Sequence, residues 1–155
     1  MVACYQRQVH KQSCGVGNIV MVVNEAGSQT ANGAAQSGTY AAAASGSNST
    51  GLPIVANGGN GGFISGATIL NTSDTTISGT INYYQADGTQ ITSGASQNFQ
   101  IAARASQPIY QGGVGLPQGF YGQATIAQSG GIANSLIVTT NVQGGDLFFT
   151  YTQPN

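Results

Sequence analysis

The chain has 155 residues, which is enough for one domain with a hydrophobic core. Charged residues make up only 5% of it, and the formal net charge is -1. The three Lys and Arg residues cannot form the basic surface that nucleic acids or anionic lipids require. The sequence also contains no run of about 18 or more apolar residues, the length needed to span a membrane.

The first 17 residues are polar and contain the only two cysteines, Cys4 and Cys14. A disulfide between them would close a short loop, as in many extracellular or periplasmic chains. Two free thiols are the alternative. The only histidine, His10, lies in the same segment, and a zinc site would lack ligands.

The next segment, residues 18–24, is predicted to be a strand rich in β-branched residues. It is apolar on both faces, so it is either central in a sheet or covered by a partner. We therefore expect it to pair across a subunit boundary or with the edge of the chain's own domain. The residues of this predicted self-association strand are Ile19, Val20, Met21, Val22 and Val23.

Residues 25–50 are rich in Gly, Ala and Ser, which predicts an extended linker. Together with the strand before it, this linker forms an N-terminal segment, residues 1–50, ahead of a β-sandwich domain at residues 51–155. The domain opens with Leu52-Pro53-Ile54-Val55, whose proline predicts a sheet edge or the start of a strand. The run Leu136–Asn141 near the end resembles Ile19–Asn24, so residues 18–45 could repeat a closing hairpin.

Two alternating runs, Phe63–Asn71 and Thr75–Tyr84, flank the polar turn Thr72-Ser73-Asp74. Alternation places side chains on opposite faces of a strand, so these runs are predicted to form an antiparallel hairpin at the centre of the fold. A second turn, at residues 86–89, follows them. In the second run one face is predicted to be buried, and it carries Ile77, Gly79, Ile81 and Tyr83.

Further alternating strands are predicted at residues 95–103 and 120–128, and a closing hairpin at residues 133–142 and 146–152. About seven short strands, separated by turn signals, are typical of an all-β sandwich or barrel. Two glycosylation-type sequons begin at Asn48 and Asn71, and their occupancy stays open.

The sequence offers little for catalysis. Asp74 and Asp87 both lie in predicted turns, where aspartate supports the backbone, and no Asp-x-Asp pattern indicates calcium. The predictions are no catalytic residue, no cofactor and no metal site. Five tyrosines could stack on sugars, although some must belong to the core: Tyr83, Tyr84, Tyr110, Tyr121 and Tyr151.

Residues 63–142 contain the run Leu116-Pro117-Gln118-Gly119-Phe120-Tyr121-Gly122, together with Asn71-Thr72, Tyr83-Tyr84, Asp87-Gly88 and residues 137–141. This set of motifs, of which the run is the most specific part, resembles a repeat of large secreted or cell-surface bacterial proteins, notably of Chloroflexi-type organisms. The resemblance covers about half of the chain and not its first 60 residues. It implies an antiparallel Ig-like β-sandwich, located outside the cell and without enzyme activity.

The function expected from these features is that of an extracellular structural protein, a self-assembling subunit or repeat of a surface filament, sheath or layer. Its partner would be a neighbouring copy, reached through strand 18–24. Two alternatives stay open: a cell-surface adhesion or carbohydrate-binding module that uses exposed tyrosines, and a viral or phage coat subunit.

Overall fold

The computed structural model describes residues 22–26, 37–41, 43, 45–92, 96–144 and 147–152. Within them the chain forms ten strands, a short helical turn at Gly59–Gly62 and a 3₁₀ turn at Gln111–Gly113. The strands are β1 (Val22–Ala26), β2 (Ser37–Ala41), β3 (Ser49–Gly58), β4 (Phe63–Asn71), β5 (Ile77–Gln85), β6 (Gln97–Ile101), β7 (Ser106–Tyr110), β8 (Phe120–Gly130), β9 (Leu136–Gly144) and β10 (Leu147–Thr152).

Strands β3 to β10 pair in antiparallel fashion and form two layers. One layer has the order β7-β4-β9-β10, and the other has the order β3-β8-β5-β6. A single rung between Asn57 and Ile64 joins β3 to β4, so the hydrogen-bonded network is continuous and folds over at this corner. The predicted all-β sandwich is therefore confirmed.

One hydrophobic core lies between the two layers, because alternate side chains of each strand point inward. The layer that contains β4 contributes Ala67, Ile69, Ile109, Leu136 and Val138. The layer that contains β8 contributes Leu52, Val55, Ile77, Ile81, Tyr83, Phe99, Ile101, Phe120, Ala124 and Ile126. The predicted buried face of β5 is confirmed, since Ile77, Gly79, Ile81 and Tyr83 are all buried.

The predicted hairpin between Phe63–Asn71 and Thr75–Tyr84 is wrong. These runs form β4 and β5 as separate strands, but β4 pairs with β7 and β9, whereas β5 pairs with β6 and β8. Both strands turn their apolar residues toward the same core from opposite sides. The connection between them therefore crosses from one layer to the other, which a hairpin within one layer cannot do.

Other predicted elements match the structure closely. The turn after β5 returns the chain as predicted, with the amide of Gly88 donating to the carbonyl of Gln85 over 2.9 Å. The closing hairpin is formed by β9 and β10. Pro53 lies at a register shift in β3, a strand whose first half pairs with β8 alone. Proline has no amide hydrogen to donate, and at this register shift Pro53 has no paired residue on β8.

Strands β1 and β2 form a separate antiparallel pair, with Val23 opposite Tyr40, and β2 packs against β10. The segment predicted to be a linker thus contains β2 and the first residues of β3. Of the predicted self-association strand, Val22 and Val23 begin β1, whereas Ile19, Val20 and Met21 lie outside the described residues. Cys4 and Cys14 also lie outside them.

The sandwich has two lateral edges. On one side, the Tyr151 hydroxyl of β10 donates to the Ile54 carbonyl of β3 over 3.4 Å, so these two edge strands lie together. On the other side, residues 102–105 connect β6 to β7 across the layers. Strand β2 contacts β10 on the first of these sides. In the described part of the chain, no helix is long and apolar enough to cross a membrane.

Candidate binding surfaces

The exposed carboxylates of the described region support turns. Asp74 Oδ1 lies 2.8 Å from Nε of Arg104, and this hydrogen bond and charge hold the pKa of Asp74 below its usual value. Asp87 Oδ1 accepts from the amide of Thr89 over 2.9 Å, which likewise lowers the pKa of Asp87. Among the described residues, no group of three or more His, Cys, Asp or Glu side chains could hold a metal ion.

The two predicted sequons have different environments. Asn71 is completely buried. Its Nδ2 donates to the carbonyl of Ile101, and its Oδ1 accepts from the amide of Ser73, so a glycan has no room on it in the folded protein. Asn48 is exposed, and its Oδ1 accepts from the amide of Asn134 over 2.7 Å. Asn71 is therefore a structural residue.

The tyrosines that the sequence offered for sugar stacking separate into two groups. Tyr83 is buried in the core, its hydroxyl has no hydrogen-bond partner, and burial raises its pKa to about 12. Tyr84 and Tyr151 are half-buried. Burial also raises the pKa of Tyr151, although its hydrogen bonds oppose the effect. Tyr110 and Tyr121 remain open to solvent, with 57% and 38% of their surfaces exposed.

Each exposed tyrosine borders a shallow groove. The loop groove, of about 470 Å³, lies between the turn after β5 and the loop before β8, and it is lined by Gln85, Ala86, Asp87, Ile91 and residues 117–121. The sheet groove, of about 230 Å³, lies on the outer face of the layer that contains β4, and it is lined by Ile64, Ser65, Gly66, Tyr110, Asn141 and Gln143.

Strand register creates the sheet groove. Gly66 of β4 lies opposite Tyr110 of β7 on one side and opposite Asn141 of β9 on the other. These three residues therefore form one row across the outer face, with the glycine in the middle. Sequence reasoning singled out Tyr110 but missed Gly66 and Asn141. An isolated glycine within a strand was the available signal, and it needed the register to become informative.

Two strand edges form a second kind of candidate surface. Within the described residues, β6 pairs only with β5, and β1 pairs only with β2. The sequence of β6, Gln97–Ile101, contains no proline or charged residue, which are common means of blocking an edge. The neighbouring edge strand β7 does contain a proline, Pro108.

No family model matches the chain, and no curated protein matches it either. Among solved structures, it is similar to Thermotoga maritima 1070, with a TM-score of 0.54 and 16% identity over 70% of this chain and 93% of that one. It is also similar to the Anabaena sensory rhodopsin transducer, with a TM-score of 0.46 and 13% identity over 60% and 79%. At 16% identity the first likeness concerns the fold alone.

Proposed function

We propose that this protein is an extracellular structural subunit that assembles with copies of itself through its strand edges. The observation that carries the proposal is the arrangement of the two lateral edges. On one side of the sandwich β2 contacts β10, and β1 has no second pairing partner among the described residues, whereas the unblocked edge of β6 lies on the opposite side. In the assembly, β1 of one copy adds to β6 of the next.

A contact between two different edges repeats without closing unless the rotation between copies brings the ends together. Such a head-to-tail contact produces a ring or an open filament. Main-chain hydrogen bonds would provide the affinity, as they do wherever an extended segment adds to a sheet. The expected product is thus a filament, sheath or surface layer, and the resemblance to bacterial surface repeats points in the same direction.

The low charge of the surface favours close packing of copies. Net charge keeps soluble proteins apart, and this chain carries only -1. Within the described part of the chain, Arg104 and Asp74 form an ion pair that is satisfied within a single copy. Stacked subunits would therefore meet little electrostatic repulsion, and their contacts should depend weakly on salt.

Negative-stain microscopy of the full chain tests the proposal. The informative variant carries Asn98→Lys and Gln100→Lys, which place two charges at the exposed outer face of β6. Because charged edge strands resist pairing, this variant should form much shorter assemblies or none. Removal of residues 1–26, and with them β1, should have the same effect.

The matched control carries Gln123→Lys and Thr125→Lys, which add the same charges to the same face of the same layer, but on the interior strand β8. This variant should assemble as the unmodified chain does. Equal assembly by the β6 and β8 variants would contradict the proposal, as would a full chain that stays monomeric at high concentration.

A further inference from the structure

The sheet groove has a platform on one side, formed by the exposed ring of Tyr110. A Cβ atom added at Gly112 would lie only 2.6 Å from Cε1 and Cζ of this ring, so the ring rests directly on the glycine backbone. One side of the ring is supported in this way, while 57% of the residue stays open to solvent. The platform is therefore held in place before any ligand arrives.

Gly66 provides the floor of the groove. A Cβ atom added there would meet only the carbonyl oxygen of Ile109, at an ordinary contact distance of 3.5 Å. The space above this strand position is thus empty because the residue has no side chain. A residue with a side chain at position 66 would project into the groove between Tyr110 and Asn141.

Asn141 provides the opposite wall. Its Oδ1 is buried and has no hydrogen-bond partner. Since solvent does not reach this oxygen, it faces protein atoms, and the rest of the side chain forms the wall. Ile64 adds apolar surface, and Gln143 adds an exposed amide at the rim.

The lining of the groove is entirely uncharged. An ionic ligand such as a phosphate or a carboxylate would find no countercharge there. A neutral molecule with an apolar face and several hydroxyl groups fits better: the apolar face stacks on the aromatic ring, and the hydroxyl groups meet uncharged polar side chains. Pockets for drug-sized ligands span about 300–1,000 Å³, so this smaller groove suits a single ring.

We propose that the sheet groove binds one ring of a neutral saccharide, which stacks on Tyr110 above Gly66 and has Asn141 at its opposite wall. This inference is independent of self-assembly, because the groove lies on the outer face of a layer and not at the β1 or β6 edge. A monomeric variant would therefore keep the site.

The test begins with the fluorescently labelled full chain on an array of immobilised neutral and sialylated glycans, followed by titration of the strongest hit as a free oligosaccharide and as its terminal monosaccharide. We expect binding to neutral glycans and competition by the free monosaccharide. If the immobilised glycan binds but the monosaccharide does not compete, the single-ring site is wrong. Absence of any hit, or binding of sialylated glycans alone, would also overturn the proposal.

Two variants locate the site. Tyr110→Ala removes the platform, and Gly66→Val fills the floor with a residue that suits a strand. Each should weaken binding by about tenfold or more. Gly66→Val should leave the melting temperature unchanged or slightly raised, which separates lost binding from lost folding.

The control is Tyr121→Ala, which removes the exposed tyrosine of the loop groove and should leave the affinity unchanged. Asn141→Ala removes the opposite wall of the groove and should weaken binding without destabilising the sandwich. If Tyr121→Ala weakens binding while Tyr110→Ala and Gly66→Val do not, the sheet groove is not the site.

Discussion

The two connections that flank β5 look alike in sequence and differ in structure. Each is a short polar stretch that contains an aspartate, Asp74 in the first and Asp87 in the second. The first, residues 72–76, carries the chain from one layer of the sandwich to the other. The second, residues 86–89, is an exposed hairpin turn within one layer.

The difference depends on the buried side chain at the start of the first connection. Nδ2 of Asn71 donates to the carbonyl oxygens of Thr75, Ile101 and Ala102 at 2.7–3.1 Å, and Oδ1 accepts from Ser73. This one amide, at the end of β4, satisfies backbone groups of the connection itself and of the end of β6 in the other layer. The second connection is exposed and its hydrogen bonds are local, from the Gly88 amide to the Gln85 carbonyl and from the Thr89 amide to Oδ1 of Asp87.

The largest expected effect is that of Asn71→Ala. The change leaves several buried carbonyl and amide groups without partners, at about 1–3 kcal/mol each, so we expect the free energy of unfolding to fall by about 3–5 kcal/mol. Urea denaturation measures this loss. Asn98→Ala, at an exposed position of β6, is the matched control and should change stability by less than about 0.5 kcal/mol.

The variant Asn71→Asp refines this result. It keeps the size and the acceptor of the side chain but cannot donate to three carbonyl oxygens when ionised. It should destabilise at least as much as Asn71→Ala at neutral pH and less at low pH. A loss below about 1 kcal/mol for both variants would mean that the first connection does not depend on this amide.

Next in size is a pH effect at β5, the strand between the two connections. Tyr83 has a folded-state pKa of about 12 because it is buried, whereas an unfolded chain loses this proton near pH 10. The unfolded state therefore binds fewer protons between these values. Stability should be full below pH 10 and should fall by about 1.4 kcal/mol per pH unit until about pH 12.

The control for this prediction is Tyr83→Phe, which removes the titrating group and its unpartnered hydroxyl. Its stability should lack this component of the alkaline decline and should be equal or higher by about 1 kcal/mol at pH 7, since a buried hydroxyl without a partner is costly. A parallel decline in both proteins would show that Tyr83 contributes nothing to it.

A smaller effect is expected in the second connection from Gly88→Ala. Gly88 has a φ of 88°, which side-chain-bearing residues rarely adopt, although the space around it is open. We expect a loss of about 1 kcal/mol from backbone strain alone. Gly51→Ala, an exposed strand position with equally open space and no positive φ, should be close to neutral in the same denaturation experiment.

The smallest expected effect is a loss of folding stability at low pH. The pKa values of Asp74 and Asp87 are lowered by Arg104 and by the Thr89 amide, so their ionised forms favour the folded state. This contribution is present above about pH 4 and is lost as the pH falls through the lowered values. Because both groups are exposed, the decline should be slight. Asp74→Asn combined with Asp87→Asn should flatten it in thermal melts between pH 2 and 5.

The sequence predicted the faces of the strands but not their neighbours. Alternation identified the buried side of β5 correctly, because burial follows directly from side-chain polarity. It could not distinguish a hairpin from a crossing between layers, because both leave the same residues buried. The role of Asn71 was missed for the same reason: its partners Ile101 and Ala102 are 30 and 31 residues away in the chain.

The candidate surfaces were even less accessible to sequence reasoning. Tyr110 was one of five candidate tyrosines, and the sequence alone could not rank them. Its position beside Gly66 and Asn141 depends on the register of three strands that are distant in sequence. The charge-poor composition, in contrast, directly indicated a surface that tolerates close neighbours.

Hydrogen exchange of the assembled and monomeric full chain tests the central proposal most directly, because edge pairing protects specific backbone amides. Two regions should become slower to exchange on assembly: β1 and β6. The interior strands β4 and β8 should be protected equally in both states. Assemblies in which β1 and β6 exchange as fast as in the monomer, while protection appears elsewhere, would contradict assembly through these edges.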